Sequence, residues 1–179
     1  IILELLQDGV TDTPKAHHPD VRSWVWNAQL LFEEGYYKEA NEIIRIAPHK
    51  KCEFMPMLLT QIFQCYDRYM DEDVKVKAEQ YIKQALPLAA EESIHPTMYN
   101  DNFANMATYT LLSAGEYFNL PEYVEIGRDK LEQFCDVFRR CGTIMEYSSP
   151  TYSAIHLLCF AEMYNHLKDP QLRQMAAMC

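Results

Sequence analysis

Apolar residues recur along this chain at three- and four-residue intervals, and the segments that carry them come in pairs. Between residues 21 and 34, Trp24, Ala28, Leu31 and Phe32 fall at i, i+4, i+7 and i+8, which is one face of a helix. Asp20 stands where an N-cap belongs, and Gly35 where a helix closes. The return segment, 36–47, turns Ala40, Ile43, Ile44 and Ala47 inward and stops at Pro48. A second pair follows. Residues 55–70 carry Leu58, Leu59, Ile62, Phe63 and Tyr66, and residues 74–90 carry Ala78, Tyr81, Ile82 and Ala85. The acidic run 71–73 opens the latter, where the helix dipole favours negative charge. A short helical segment at 1–7 and a loop at 11–20 precede the first pair.

The third pair differs from the first two. Phe103, Met106, Ala107, Thr110, Leu111, Ala114 and Phe118 recur at helical spacing, and no charged residue occurs from 102 to 115. The chain turns at Asn119-Leu120 and Pro121 opens a return helix to 140. Its apolar stripe is Val124, Gly127, Leu131, Phe134, Cys135 and Phe138, with Arg128, Asp129, Lys130, Glu132 and Asp136 outside. The fourth pair opens at Ser149-Pro150, an N-cap followed by a proline at the first helical position. Its first helix, 153–167, is apolar almost all round, so burial on most sides is expected. Asp169-Pro170 repeats the same start signal for the last helix.

Four hairpins at a spacing of roughly 35–50 residues fall in the range of helical repeat architectures. The fold class expected is all-α: antiparallel helical hairpins in two layers, the nearly uncharged first helices inside and the amphipathic second helices outside. The uncharged helices, 103–118 and 153–167, should lie side by side and be more buried than 121–140. An open solenoid of equivalent pairs is the alternative.

Composition narrows the function. At 179 residues the chain suits a single domain spanning 1–179, with hydrophobic residues at 49%. Both ends stop in mid-pattern, which reads as a piece of a longer polypeptide. A net charge of −10 without Lys/Arg clusters excludes a nucleic-acid surface and disfavours anionic membranes. The six cysteines show no CxxC pair and no zinc spacing, so neither a metal nor another cofactor is expected. They read as reduced thiols, which leans towards a cytoplasmic setting. His17-His18 before Pro19-Asp20 has a metal-binding look, but loop histidines ahead of a capping aspartate are ordinarily solvated.

The candidate chemistry gathers at loops ahead of the uncharged helices, where free backbone N–H groups and the helix dipole attract polar ligands. One loop offers Asn100, Asp101 and Asn102, with Asn105 a turn further on. The other offers Glu146, Tyr147, Ser148 and Tyr152, with His156 one turn below Tyr152. Each has an ordinary alternative. Asp101 or Asn102 suits an N-cap, Glu146 suits a partner for Arg139 or Arg140, and His156 suits a hydrogen-bonded core histidine. Asn105, in a helix with no charge, needs partners of its own.

Two resemblances bear on this pattern. Trp24…Ala28…Leu31-Phe32…Gly35…Ala40 looks like a single tetratricopeptide pair, a likeness the other pairs do not keep. More extensive is the run Tyr99-Asn100-Asp101-Asn102…Asn105-Met106, then Gly115-Glu116…Leu120…Gly127-Arg128…Leu131, then Glu146-Tyr147-Ser148-Ser149-Pro150-Thr151-Tyr152. It resembles a poorly characterised bacterial and fungal family of α-toroids whose motif reads Glu-Tyr-Asn-Ser-Pro-Thr-Tyr. Ser148 stands here where that motif has Asn. That family is similar to the six-hairpin toroids of glycoside hydrolases and polysaccharide lyases, so the resemblance implies part of an (α/α)6 toroid. It further implies a carbohydrate-active domain with its cleft at the N-terminal ends of the inner helices.

On that reading Asp101 and Glu146 are the paired carboxylates of a glycosidase. Alternatively, Tyr152 and His156 are acid and base for β-elimination. Asn100, Asn102, Asn105, Tyr147 and Ser148 would then bind an oligo- or polysaccharide. A non-enzymatic helical-repeat scaffold that holds a protein or peptide partner is the second expectation. Convergence of these residues in one pocket favours an enzyme, and dispersal favours a scaffold.

Overall fold

The computed structural model describes residues 21–47, 53–92, 94, 101–144 and 148–179. The described residues are helical, with no strand, in eight α-helices: α1 (Val21–Glu33), α2 (Tyr37–Ile46), α3 (Phe54–Tyr66), α4 (Glu72–Glu91), α5 (Asp101–Tyr117), α6 (Pro121–Cys141), α7 (Pro150–His166) and α8 (Pro170–Met178). The expected helix at 1–7, the Asp20 cap and the His17-His18 pair lie outside the described residues. None of the described helices is long and apolar enough to cross a membrane.

Local chemistry sets the boundaries. Ser149 Oγ accepts the backbone N–H of Tyr152 at 3.4 Å, with Pro150 in the first turn. Asp169 Oδ1 accepts from the Gln171 N–H at 2.7 Å, with Pro170 behind it. Gly142 closes α6 at φ 73°, in the left-handed region that only glycine enters without steric cost. The second pair departs from the sequence reading. Its first helix stops at Tyr66, and Asp67–Tyr69 form a 3₁₀ turn in place of the expected last turn. The cause lies 30 residues upstream. Asn41 of α2 takes the Tyr69 carbonyl and the Asp71 N–H, which pulls the chain out of the helix.

Consecutive helices pack as the hairpins α1/α2, α3/α4, α5/α6 and α7/α8. Beyond the hairpins, α1 packs on α3, α3 on α5 and α5 on α7; α2 packs on α4, α4 on α6 and α6 on α8. Helix α5 is the hub, touching α3, α4, α6 and α7. Its residues Ala104–Gly115 are buried without a break, as its uncharged sequence predicts. Two of its phenols tie it to the preceding hairpin. Tyr109 donates to Gln64 Oε1 at 2.7 Å, and Tyr117 to Asp67 Oδ2 at 2.7 Å. Glu116 accepts the backbone N–H groups of Lys168 and Asp169 and so holds the α7–α8 turn.

Two expectations about facing are corrected. Helix α7 packs on α5 and α8 but is not covered on most sides: Leu157 is 72% exposed, and Tyr152 and Tyr164 are also exposed. Its buried set is Ile155, His156, Cys159, Phe160 and Met163, a single stripe scarcely richer than that of α6. An apolar face attracts burial only where a neighbour stands against it, and the described residues place none there. Lys130, expected on the outside of α6, is buried. Its ammonium donates to the Glu92 carbonyl at the end of α4, and burial lowers its pKa. A long aliphatic stem lets a lysine cross an apolar boundary in this way.

The close approach of α5 and α6 depends on Gly127. A Cβ there would lie 2.7 Å from Leu112 Cγ and 3.1 Å from the Leu112 backbone nitrogen. Leu112 is fully buried and has no room to swing aside. Gly127→Ala is therefore expected to cost about 1–3 kcal/mol of stability through overpacking, despite alanine's better helix propensity. Urea denaturation checks this. A stabilised Gly127→Ala protein would mean that the two helices separate freely.

Candidate functional site

The first two turns of α5 carry Asp101, Asn102 and Asn105, all buried although polar. Asp101 and Asn105, four residues apart, share a helix face, and that face meets α7 at His156. His156 Nε2 lies 3.2 Å from Asp101 Oδ1, and Asn105 Nδ2 lies 2.9 Å from His156 Nδ1. Asn105 Nδ2 also reaches the His156 carbonyl at 3.4 Å. That second contact orients the amide, because an oxygen in its place would face another carbonyl. The amide nitrogen offers only hydrogens, so Nδ1 accepts and the ring hydrogen sits on Nε2, directed at Asp101.

Aromatic rings enclose the imidazole. Phe134 of α6 meets it edge-on at 6.4 Å, and Phe160, one turn along α7, stacks at 6.5 Å. His156 is 2% exposed. The arrangement is thus a buried Asp101–His156–Asn105 chain joining the start of α5 to the second turn of α7. Asn105 Oδ1 is left buried without a hydrogen-bond partner. Both amide atoms of Gln61, in the buried interior of α3, are in the same position. An acceptor desolvated without a partner is costly, and such groups mark places where a water or ligand completes the bonding.

The structure brings together Asp101, Asn105 and His156, and buries Asn102 beside them in sequence. Ser148 and Tyr152 stay exposed at the mouth of α7. Although Tyr152 and His156 are four residues apart, they do not share an environment. Tyr152 stands in the first turn, at the open end of the helix, whereas His156 one turn on is enclosed by Phe134 and Phe160. Asn100, Glu146 and Tyr147 lie outside the described residues.

A cleft of about 490 Å³ opens between α3, α4 and α5. Glu53 and Pro56 at the start of α3, Tyr81, Gln84, Leu88, Glu91 and Glu92 along α4, and Ala107 and Thr110 of α5 line it. The volume suits a small ligand, and the mixture of apolar wall and few polar groups is typical of such sites. Three carboxylates and no lysine or arginine appear among its described lining residues. Sequence reasoning missed this cleft because its walls come from three helices whose contributions are individually ordinary. The one usable signal was Glu91-Glu92 at the end of an otherwise apolar helix face.

Comparison with family models, curated proteins and solved structures gives no match for this chain.

Proposed function

We propose that this chain is part of an α/α toroid whose mouth, at the N-terminal ends of α3, α5 and α7, binds and acts on an oligosaccharide. The packing order supports the two-layer reading: α1, α3, α5 and α7 pack successively, as do α2, α4, α6 and α8. The observation that carries the functional reading is the Asp101–His156–Asn105 chain. It fixes the polar starts of two inner helices against each other and leaves Asn105 Oδ1 an unfilled acceptor. The cleft between α3, α4 and α5, on another face of α5, carries hydroxyl, amide, carboxylate and aromatic groups that match the mixed polar and apolar faces of a sugar.

Within this reading the geometry favours hydrolysis over elimination. Both ring nitrogens of His156 are engaged in a buried cluster, while Tyr152 is exposed in the first turn of the same helix, which weakens them as an acid–base pair. The acidic cleft likewise disfavours a uronate substrate and suits a neutral glycan. This reading assigns the carboxylate pair to Asp101 and Glu146, and sugar binding to Asn100, Asn102, Tyr147 and Ser148.

Glu146→Gln is expected to leave the melting temperature within a few degrees and to lower turnover of neutral oligosaccharides; Tyr152→Phe, equally stable, should lower turnover only if elimination is the reaction. For Glu146→Gln the loss should be about 100-fold or more, the usual contribution of a general acid or base. A panel of neutral and uronate-containing oligosaccharides, assayed for released reducing ends and for unsaturated products, checks both arms. Absence of binding and turnover across the panel sinks the proposal.

A specific observation favours a second reading. Leu157 and Tyr164, seven residues apart, share an exposed face of α7, a surface on which a protein or peptide partner of a scaffold can dock.

A further inference from the structure

The far end of α7 holds a second group of functional side chains, unconnected with the cluster above. His166 lies ten residues beyond His156, about 15 Å along the helix axis. Glu162 and His166 are four residues apart and face the same way, towards the last turn of α3, where Cys65 stands. The Cys65 thiol lies 3.9 Å from His166 Nε2, and His166 Nε2 lies 3.5 Å from Glu162 Oε2. All three ligand atoms fall within 4.8 Å of one another.

These separations are close to those around a bound ion. With Zn–S about 2.3 Å and Zn–N or Zn–O about 2.0–2.1 Å, tetrahedral geometry puts neighbouring ligand atoms about 3.3–3.6 Å apart. Small side-chain rotations close the difference. A Glu–His pair at i, i+4 also presents both groups to one point from a single helix turn, as helical zinc motifs do. An ion pair alone accounts for Glu162 and His166 but not for a thiol converging on the same nitrogen.

Burial, then the charges of Glu162 and Glu33, holds the Cys65 thiol above its ordinary pKa. Burial raises that of Glu162, with His166 pulling it down and Glu33 pushing it up. Glu33 ends α1, so a carboxylate from a third helix acts on the same place.

We propose that Cys65, Glu162 and His166 form a three-ligand site for a divalent transition-metal ion of the zinc type. The fourth position is open to water or to Glu33. A thiolate, an imidazole and a carboxylate together select a borderline ion such as Zn²⁺ or Co²⁺ over Mg²⁺ or Ca²⁺. Binding displaces the thiol proton to solvent and clamps α3 to α7 at the end opposite the α5 start. This site does not rest on the carbohydrate reading.

The test is Co²⁺ titration of the metal-stripped protein, with Zn²⁺ as competitor. One equivalent of Co²⁺ is expected to give a thiolate-to-cobalt charge-transfer band and the strong visible bands of tetrahedral coordination, both displaced by Zn²⁺. Cys65→Ser should abolish the charge-transfer band. His166→Gln should weaken affinity by more than the about 10–100-fold that loss of an outer-shell partner costs. Cys135→Ser should change neither. Circular dichroism verifies that each variant is folded, and one equivalent of Zn²⁺ should raise the melting temperature of the parent but not of Cys65→Ser. A charge-transfer band that survives in Cys65→Ser, or no saturable Co²⁺ binding by the parent, overturns the assignment.

Discussion

A His156→Ala variant is expected to unfold with about 3–5 kcal/mol less free energy than the parent, the cost of removing one member of a buried polar pair. The loss has three parts. Asp101 keeps a buried carboxylate without its imidazole donor, and Asn105 loses the ring nitrogen that its amide reaches. The space between Phe134 and Phe160 is also emptied. Asp101→Asn should cost less, because an amide oxygen can still accept from Nε2. Combining Asp101→Ala with His156→Ala should give a coupling energy of about 0.5–3 kcal/mol, as expected of side chains in direct contact. Urea unfolding of the four proteins supplies every corner of that cycle. If His156→Ala costs less than about 1 kcal/mol, the cluster does not clasp α5 to α7.

What the sequence makes legible here is local. Ser149-Pro150, Asp169-Pro170, Pro121 and Gly142 each carry their instruction within a few residues, and each boundary falls where that chemistry places it. The uncharged run 102–115 likewise foretells the burial of α5. Facing is different. Helix α7 has as little polar character as α5, yet Leu157 stands in solvent, because an apolar surface specifies a wish for a neighbour and not its presence. Lys130 reads as an outer residue by charge and is buried by the reach of its stem to the Glu92 carbonyl. The meeting of Asp101 with His156, 55 residues apart, and of Cys65 with His166, 101 apart, leaves no trace in spacing. Such pairs are products of helix register, which propensity does not encode.

Asn41 shows the same limit and carries the second large effect. By pattern, α2 presents Ala40, Ile43 and Ile44 to the core, and an asparagine beside them draws no notice. It is 1% exposed, and its amide nitrogen donates to the Tyr37 carbonyl at 2.7 Å and the Tyr69 carbonyl at 2.9 Å. Its oxygen accepts the Asp71 N–H at 2.7 Å. One side chain thus ends α3, sets the 3₁₀ turn and positions the N-cap of α4, while Tyr37 and Tyr69 stack at 3.9 Å alongside. Asn41→Leu keeps the number of side-chain heavy atoms but strands the Tyr69 carbonyl and the Asp71 N–H. At about 1–3 kcal/mol per stranded group, with partial rescue by solvent, the expected loss is about 2–4 kcal/mol. On the outer side of the same junction, Arg45 bonds Glu42, Asp71 and Asp73, but in solvent, where such pairs contribute little. Arg45→Ala should therefore lower the urea midpoint less than Asn41→Leu, and only Asn41→Leu should speed hydrogen exchange at the Asp71 amide. The reverse order would mean that the turn is held from its charged surface and not from the buried amide.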